Sequence, residues 1–267
     1  VSQLAEKYEA CGILNVTAGT VSQQKPIYFA EGMINKYVTD GSFTNTVVNT
    51  NAGAATVYTS SNKAVAEVDS SSGAVTIVGA GTATIMATST MNDTSPVYAS
   101  YTLNVTKEPV TLTAPTISVS YGTSQTDAVA EAKKAGVTIS KEGAELSDIV
   151  SGSQEPDYTV SYTAGSDVGG YELKIGGLSS EKYDITYVSG MLNVTPKILS
   201  EDDFEVSCSA KIYDGTTAAA LTASVKAQSK LSTDLLTVEI SGAFEDAGAA
   251  DAKTVNYTIT GLGGRDS

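Results

Sequence analysis

Leu14-Asn-Val-Thr17, Leu103-Asn-Val-Thr106 and Leu192-Asn-Val-Thr195 are three copies of one tetrapeptide, and successive copies begin 89 residues apart. The chain has 267 residues, which equals three such periods. Self-similarity at a fixed interval is typical of a tandem array of similar domains. The sequence therefore predicts a repeat protein whose units end at this tetrapeptide.

The composition disfavours several classes of function. The chain carries 30 acidic and 16 basic residues, for a net charge of −14, and it contains neither His nor Trp. Nucleic acid and anionic membrane are therefore poor partners, and the usual proton shuttle near neutral pH is missing. No apolar run is long enough to span a bilayer. Because no catalytic constellation is visible, we expect neither enzymatic activity nor a cofactor.

The first full unit, residues 18–106, contains a strand, turn and strand pattern. It includes Tyr58-Thr-Ser-Ser-Asn-Lys-Ala-Val-Ala-Glu-Val-Asp69, Gly73-Ala-Val-Thr-Ile77 and Gly79-Ala-Gly-Thr-Ala-Thr-Ile-Met-Ala87. Its β-branched residues and its glycines favour short strands joined by turns. This stretch resembles bacterial immunoglobulin-like group 2 domains, which implies a β-sandwich. We expect the Asn- and Thr-rich residues 40–55 to form an elaborated loop at one end of it.

The second unit, residues 107–195, mixes strands with one short helix. Thr126 to Gly136 is rich in Ala, has a capping residue and ends at Gly, which predicts a helix. Alternation of apolar and polar residues predicts strands at 117–121, 158–162, 171–175 and 183–187. A mixed sheet on one helix indicates a β-grasp-like unit. The Tyr121-Gly122 opening and the Gly190-Met-Leu-Asn-Val-Thr195 ending resemble the MBG repeats of large bacterial adhesins.

The third unit, residues 196–267, carries Lys211-Ile-Tyr-Asp-Gly-Thr-Thr-Ala218. This segment resembles the YDG repeat, a relative of MBG found in the same surface proteins. We interpret Asp214 and Gly215 as turn residues. The resemblance implies a further strand at the end of the unit, which the sequence to Ser267 does not supply.

Residues 1–17 repeat the end of the second unit, because Glu6-Lys-Tyr8 and Gly12-Ile-Leu-Asn-Val-Thr17 match positions within 181–195. We therefore interpret 1–17 as the terminal strand of an MBG/YDG-type unit, which residues 196–267 of a neighbour would accept by β-strand addition. A polymerising subunit, one period of a longer fibre and an arbitrary fragment all remain open. The strand-donor candidates are Tyr8, Ile13, Leu14 and Val16.

Two cysteines fall on the two sides of this joint. Cys11 lies in the donor segment and Cys208 in the opening strand of the third unit, and we align them with Ser189 and Thr116 of the second unit. A disulfide between them is a candidate in an exported protein. The alternative is that they are two unrelated small core residues.

Other candidate sites have less support. Glu201, Asp202 and Asp203 could ligate calcium between domains, although calcium takes six to eight oxygens and a solvated acidic loop is the alternative. The 14 Tyr residues could form a platform that binds host glycan or protein, although most occupy strand positions where they would pack.

Together these patterns predict a mostly β tandem array of an immunoglobulin-like sandwich and two β-grasp-like units. We expect a structural or adhesive repeat protein outside a bacterial cell, at its surface or wall, that joins copies of itself or adjoining repeats head to tail. The alternative function is a spacer or a ligand-binding region of a larger wall-associated adhesin or enzyme. An exposed aromatic cluster within residues 40–55 would favour that alternative.

Overall fold

The computed structural model describes residues 24–91, 95–152 and 154–264, and these residues are mostly β-strand, as predicted. They divide into two compact units. One unit ends at Pro109 and also includes Ser180–Asp184, and the other consists of Val110–Ser179 and the chain from Ile185 onward. The finer division of the second unit at residues 195 and 196 stays a prediction.

The first unit is a β-sandwich. A four-stranded sheet in the order β2-β9-β8-β5 and a three-stranded sheet in the order β3-β7-β6 contribute to one core, and β1 pairs with β4. Ile85 and Leu103 from the larger sheet and Val75 from the smaller one are fully buried in that core. The strands are β1 (Tyr28–Phe29), β2 (Met33–Tyr37), β3 (Phe43–Thr44), β4 (Val47–Val48), β5 (Ala55–Ser60), β6 (Ala66–Val68), β7 (Ala74–Ile77), β8 (Gly81–Thr90) and β9 (Val97–Thr106).

The expected elaborated loop at residues 40–55 is wrong in part, since this passage contains β3 and β4. β3 pairs with β7, and β4 pairs with β1. The side chains of Phe43 and Val47 pack against the core. Each of these strands has two residues, which is too short to show an alternating pattern in the sequence.

The second unit opens with a β-grasp-like arrangement. One sheet has the order β12-β10-β15 and the other the order β11-β16-β14-β13. The predicted helix begins after Ser124, whose hydroxyl accepts from Asp127 N, and ends at Gly136. Its residues Ala128 and Ala132 are buried in the core. The elements are β10 (Glu108–Thr113), β11 (Thr116–Ser120), α1 (Gln125–Ala135), β12 (Thr138–Ile139), α2 (Leu146–Ile149), β13 (Asp157–Val160), β14 (Gly169–Gly176), β15 (Tyr183–Val188) and β16 (Gly190–Thr195).

The sequence predicted one helix in this part of the chain, and this prediction is wrong, because α2 adds a second helix of a single turn. The carboxylate of Asp148 accepts a hydrogen bond of 2.9 Å from Glu145 N, which satisfies a backbone donor at the start of this turn. Ile149 anchors the turn by complete burial.

The end of the second unit, residues 196–264, consists of two antiparallel pairs. β17 (Phe204–Cys208) pairs with β18 (Leu221–Val225), and β19 (Leu236–Phe244) pairs with β20 (Val255–Gly264). Asp214 Oδ1 accepts from Thr216 N at 2.9 Å and Gly215 has a φ of 74°, which confirms the predicted turn. Among the described residues after Thr195, the buried ones are Val225, Ser229 and Asp234. This part of the chain therefore has a much smaller core than the residues before it.

Candidate strand-acceptor site

Two copies of the repeated tetrapeptide occupy the same position in their sheets. Leu103 lies on β9, which runs parallel to β2 on one side and antiparallel to β8 on the other. Leu192 lies on β16, which runs parallel to β11 and antiparallel to β14. Both leucines are fully buried. In both units the tetrapeptide therefore lies in an inner strand of the sheet. One neighbour of this strand is the parallel opening strand, and the other is a later antiparallel strand.

The Asn and Thr side chains of the tetrapeptide form hydrogen bonds to the neighbouring strands. Asn104 donates to Asn35 Oδ1 and accepts from Thr82 Oγ1, both at 3.2 Å, so it links all three strands of the first unit. Thr195 Oγ1 donates to the carbonyl oxygen of Val119 on β11. These contacts explain why polar residues alternate with the buried Leu and Val.

A corner in the chain fixes where β16 begins. β10 and β11 belong to different sheets, and the chain changes sheet at Ala114 and Pro115. A Cβ placed on Gly190 would overlap the Pro115 carbonyl oxygen. The sequence predictions did not single out Gly190 for this role, although Gly12 precedes Leu14 at the same spacing and could have drawn attention to it.

The last two strand pairs repeat the pairings of the preceding fold. β17 pairs with β18 as β10 pairs with β12, and β19 pairs with β20 as β13 pairs with β14. Ile259-Thr-Gly-Leu262 on β20 matches Ile175-Gly-Gly-Leu178 at the end of β14. By this correspondence, a central strand equivalent to β16 would lie beside β20.

Within residues 196–264 no strand occupies that position, since β17 pairs only with β18 and β20 only with β19. The residues between β17 and the Asp214 turn, 209–213, adopt no regular structure, whereas their counterparts form β11. Tyr257 is 51% exposed, while its counterpart Leu173 is 1% exposed. These observations define a strand position that none of residues 196–264 fills, which we call the acceptor groove.

An open cleft of about 660 Å³ lies next to the acceptor groove and reaches β20 at Val255. One wall comes from Cys208 and the segment up to Thr216, and the other from Phe244 through Val255. Lys211 Nζ donates to Thr216 Oγ1 at 2.6 Å and forms an ion pair with Asp214 at 2.8 Å. The Lys211 hydrogen bond lowers the pKa of Asp214 to about 2. Lys211 and Asp214 on this wall are therefore engaged with each other, as are Lys253 and Asp246 on the opposite wall.

A second cleft, of about 430 Å³, lies where the β-grasp-like fold meets residues 196–264 within the second unit. Tyr121 OH donates a hydrogen bond of 2.7 Å to Asp234 Oδ1, and Leu231 N donates to Asp234 Oδ2 at 2.8 Å. Asp234 is 4% exposed. This buried carboxylate was missed from the sequence, because its partner lies 113 residues earlier.

The predicted calcium ligands lie in a single turn, where Glu201–Asp203 form a 3-10 helix. Asp203 Oδ1 accepts from Ser229 Oγ at 2.6 Å and Oδ2 accepts from Ser200 N at 2.7 Å, which lowers the pKa of Asp203 to about 2. In the part of the chain that the structure describes, no three His, Cys, Asp or Glu side chains are placed to hold a metal ion. Calcium binding at this turn stays a prediction.

Several other predicted residues can now be placed. Cys208 is an exposed free thiol at the end of β17. Cys11 and the donor candidates Tyr8, Ile13, Leu14 and Val16 lie outside the described residues. Phe43 is the sole aromatic residue in 40–55, and it packs against the core, so this passage holds no aromatic platform for a glycan. Over the described ranges, no helix has the length and apolar character needed to cross a membrane.

Two family models match parts of the chain. Residues 43–91 match the intimin immunoglobulin-like domain, and residues 195–267 match the YDG domain. The predicted immunoglobulin-like and YDG segments are thus confirmed, while the group 2 assignment and the MBG repeat stay predictions. The chain is similar to surface adhesin-like proteins, which indicates an extracellular adhesive or structural repeat region.

Solved structures give a more distant likeness. A mouse cadherin-23 fragment, EC22-24, is 9% identical over 64% of this chain and 65% of that one, with a TM-score of 0.27. The human desmocollin-1 ectodomain is 11% identical over 85% and 52%, with a TM-score of 0.27. Domains 1-6 of surface layer protein SbsC are 16% identical over 92% and 39%, with a TM-score of 0.26. Comparison with curated protein sequences finds no match.

Proposed function

We propose that this protein is an extracellular structural and adhesive repeat of a bacterial surface, and that its copies join head to tail. In this proposal, residues 1–17 of one copy add a strand to the acceptor groove of the next copy. The observation that carries the proposal is the strand position beside β20 that none of residues 196–264 fills, and that corresponds to the position of β16 in the preceding fold. Strand addition supplies main-chain hydrogen bonds and buries alternate side chains.

The donor segment has the residues that this position requires. Gly12, Leu14 and Val16 recur at the spacing of Gly190, Leu192 and Val194. In β16 the glycine passes the corner at Pro115, and the Leu and Val side chains are buried. A donated strand would bury Leu14 and Val16 in the same way. The apolar area removed from water would favour association by about 25 cal/mol per Å² before the costs of ordering.

The correspondence also gives a register. Leu192 pairs with Tyr171 and Gly190 pairs with Leu173 in the antiparallel ladder of β14. Transferred to β20, these pairings place Leu14 opposite Val255 and Gly12 opposite Tyr257. The exposed ring of Tyr257 would then be covered by the donor strand, and residues 209–213 would gain the parallel partner that β11 has in β16.

The two cysteines would meet at this seam. Ala114 N, just after the end of β10, donates to Val188 O at 2.9 Å, next to the Ser189 counterpart of Cys11. Cys208 ends β17 as Thr113 ends β10, so by strand pairing its counterpart is Thr113, three residues before the Thr116 with which the sequence aligned it. We infer a Cys11–Cys208 disulfide between copies, formed by two exchange steps in which the thiolates pass two electrons to a small-molecule disulfide and release two thiol equivalents.

Sedimentation velocity of the full chain over a range of concentrations tests the joint. We expect species larger than the 27.4 kDa monomer, growing with concentration, in the wild-type chain under reducing conditions. The double substitution Leu14→Asp and Val16→Asp should abolish them. The matched control is Ile13→Asp. Ile13 is also a donor candidate, but it corresponds to Met191, whose side chain is exposed on β16, so its side chain should face away from the core and its substitution should leave association unchanged.

Three results would contradict the proposal. A wild-type chain that stays monomeric at every concentration excludes joining between copies. Association that survives both aspartates excludes the donor segment. A monomer in which Tyr257 is protected from chemical modification, independently of concentration, would mean that the segment inserts within its own chain. If the wild type associates identically with and without reductant, the proposed disulfide is refuted and the strand addition is not.

A further inference from the structure

The turn that follows the first parallel strand contacts the end of the tetrapeptide strand at both positions where the tetrapeptide is described. After β2, Val38 N donates to Thr106 O at 2.9 Å. After β11, Tyr121 N donates to Thr195 O at 2.8 Å. The residues that follow the tetrapeptide in the chain therefore begin next to this turn.

In each case a hydroxyl group in the turn binds a carboxylate that comes later in the chain. Thr39 Oγ1 donates to Glu108 Oε2 at 2.5 Å. Tyr121 OH donates to the buried Asp234 Oδ1 at 2.7 Å. Hydrogen bonds to charged acceptors are stronger than those between neutral groups. The turn thus fixes both the end of the strand and the part of the chain that follows it.

Tyr213 occupies the corresponding turn in the last part of the chain, because Tyr213-Asp-Gly215 matches Tyr121-Gly122 with one residue inserted. Tyr213 is 67% exposed and Ile212 is 92% exposed. The turn is held in place, since Asp214 Oδ1 binds both Thr216 N and Lys211 Nζ. The two apolar side chains therefore project from a fixed turn rather than from a loose loop.

We propose that Tyr213 and Ile212 form a docking surface for the residues that follow Thr17 in a second copy. This inference rests on the proposed function, because strand insertion brings Thr17 O to Tyr213 N as Thr195 O meets Tyr121 N. The chain beyond Thr17 then passes over the two exposed side chains. The ring and the isoleucine lose exposed apolar surface, and the phenol gains a polar partner on the neighbour. Tyrosine is enriched at such interface centres for both reasons.

The surface has a defined role in the joint. The donor strand alone would hold two copies together, but the next copy could rotate about the single chain segment after Thr17. Docking on Tyr213 and Ile212 removes that rotation, as the Tyr121 to Asp234 bond ties the residues after Thr195 to the preceding fold. The joint between copies becomes stiff for the same reason that the joint within the second unit is fixed.

Tyrosine nitration followed by peptide mass spectrometry tests the docking surface on the full chain. Samples of the wild type at an associating concentration are compared with the monomeric Leu14→Asp, Val16→Asp variant. We expect Tyr213 and Tyr257 to react less in the associated sample. Tyr37, which is 43% exposed at the Thr106 end of the first unit, serves as the reference and should react equally in both.

Substitutions supply the second readout. Tyr213→Ala should weaken association by about tenfold, as expected for an interface anchor, and Tyr213→Phe should weaken it less, because the ring remains. Both should unfold in urea at the wild-type midpoint, since Tyr213 is exposed in the single chain. Association in which Tyr257 is protected, Tyr213 stays reactive and Tyr213→Ala has no effect would refute the docking surface and keep strand insertion. A wild type that never associates would refute both.

Discussion

Gly190 passes so close to Ala114 that a Cβ on Gly190 would lie 2.5 Å from the Ala114 carbonyl oxygen. The contact occurs where β10 gives way to β11 and β15 gives way to β16, so two chain segments change sheet at one point. Only a residue without a side chain can pass there. Gly12 holds the same place in the donor segment.

Alanine at these two glycines should therefore have separable effects. Gly190→Ala forces the corner apart. We expect it to lower the free energy of unfolding by about 1–3 kcal/mol, as is typical of overpacking, and urea denaturation measures this loss. Gly12→Ala should leave that free energy unchanged and weaken self-association in sedimentation velocity. Gly32→Ala is the control, because nothing lies within 4 Å of its added Cβ. Equal behaviour of all three variants would show that the corner does not require glycine at either position.

Tyr101 and Tyr162 make a matched pair for a second prediction. Tyr101 OH is buried without a hydrogen-bond partner among the described residues, and burial raises the pKa of Tyr101 to about 12. Tyr162 OH is directed to Thr123 O at 2.8 Å, and Tyr162 is also buried. Tyr101→Phe should stabilise the protein by about 1 kcal/mol, since an uncompensated hydroxyl is removed.

Tyr162→Phe should destabilise the protein by about the same amount, because the Thr123 carbonyl oxygen loses its donor. Differential scanning calorimetry of the two variants against the wild type measures both signs. A destabilising Tyr101→Phe would indicate that the Tyr101 hydroxyl does make a hydrogen bond in solution.

The stability of residues 196–264 should depend on acid pH through two aspartates. Hydrogen bonds from Ser229 and Ser200 lower the pKa of Asp203 to about 2, and the Lys211 and Thr216 hydrogen bonds do the same for Asp214. Both folded pKa values lie below the ordinary 3.8. The contribution of these two carboxylates to the free energy of unfolding is therefore complete above pH 3.8, and it is lost as the pH falls through about 2.

Urea unfolding between pH 5 and about pH 2, read by hydrogen exchange in β17 to β20, measures this loss. Asp203→Asn and Asp214→Asn should flatten the profile, because the amide does not titrate. Carboxyl chemical shifts of both residues that titrate at the ordinary value would contradict the prediction directly.

The Tyr121 to Asp234 bond gives a fourth prediction. Tyr121→Phe leaves a buried carboxylate with one donor fewer, so we expect a loss of about 1–3 kcal/mol in the free energy of unfolding of the second unit. Tyr171→Phe is the control, because Tyr171 OH donates to the exposed Asp167 O at 2.7 Å, where water can replace it. Equal midpoints for the two variants in thermal unfolding would show that the bond contributes nothing to the joint.

Regular features of this protein could be predicted from its sequence, and irregular ones could not. The strands near Tyr171 and Tyr183 follow an alternating pattern because one side faces the core, and α1 has a capping residue at one end and Gly136 at the other. β3 and β4 have no such period, since two residues cannot alternate. Their positions depend on partners far along the chain.

The candidate site was predictable to a similar degree. The repeated Gly-x-Leu-Asn-Val-Thr of residues 12–17 and 190–195 pointed to a strand position, and its place beside β11 and β14 required the topology. Nothing in the sequence linked Tyr121 to Asp234, because a contact between single residues in separate turns has no local pattern.

The parallel pairing of each tetrapeptide with the first strand of its unit also determines when that unit can fold. Ile34 pairs with Leu103 and Ile117 pairs with Leu192, so the pairs join residues that are 69 and 75 positions apart. Contacts of such long sequence separation form slowly. During synthesis or export, the opening strand of a unit therefore stays without its parallel partner until the tetrapeptide has emerged. Units would then acquire resistance to proteases one at a time, each when its own tetrapeptide has emerged.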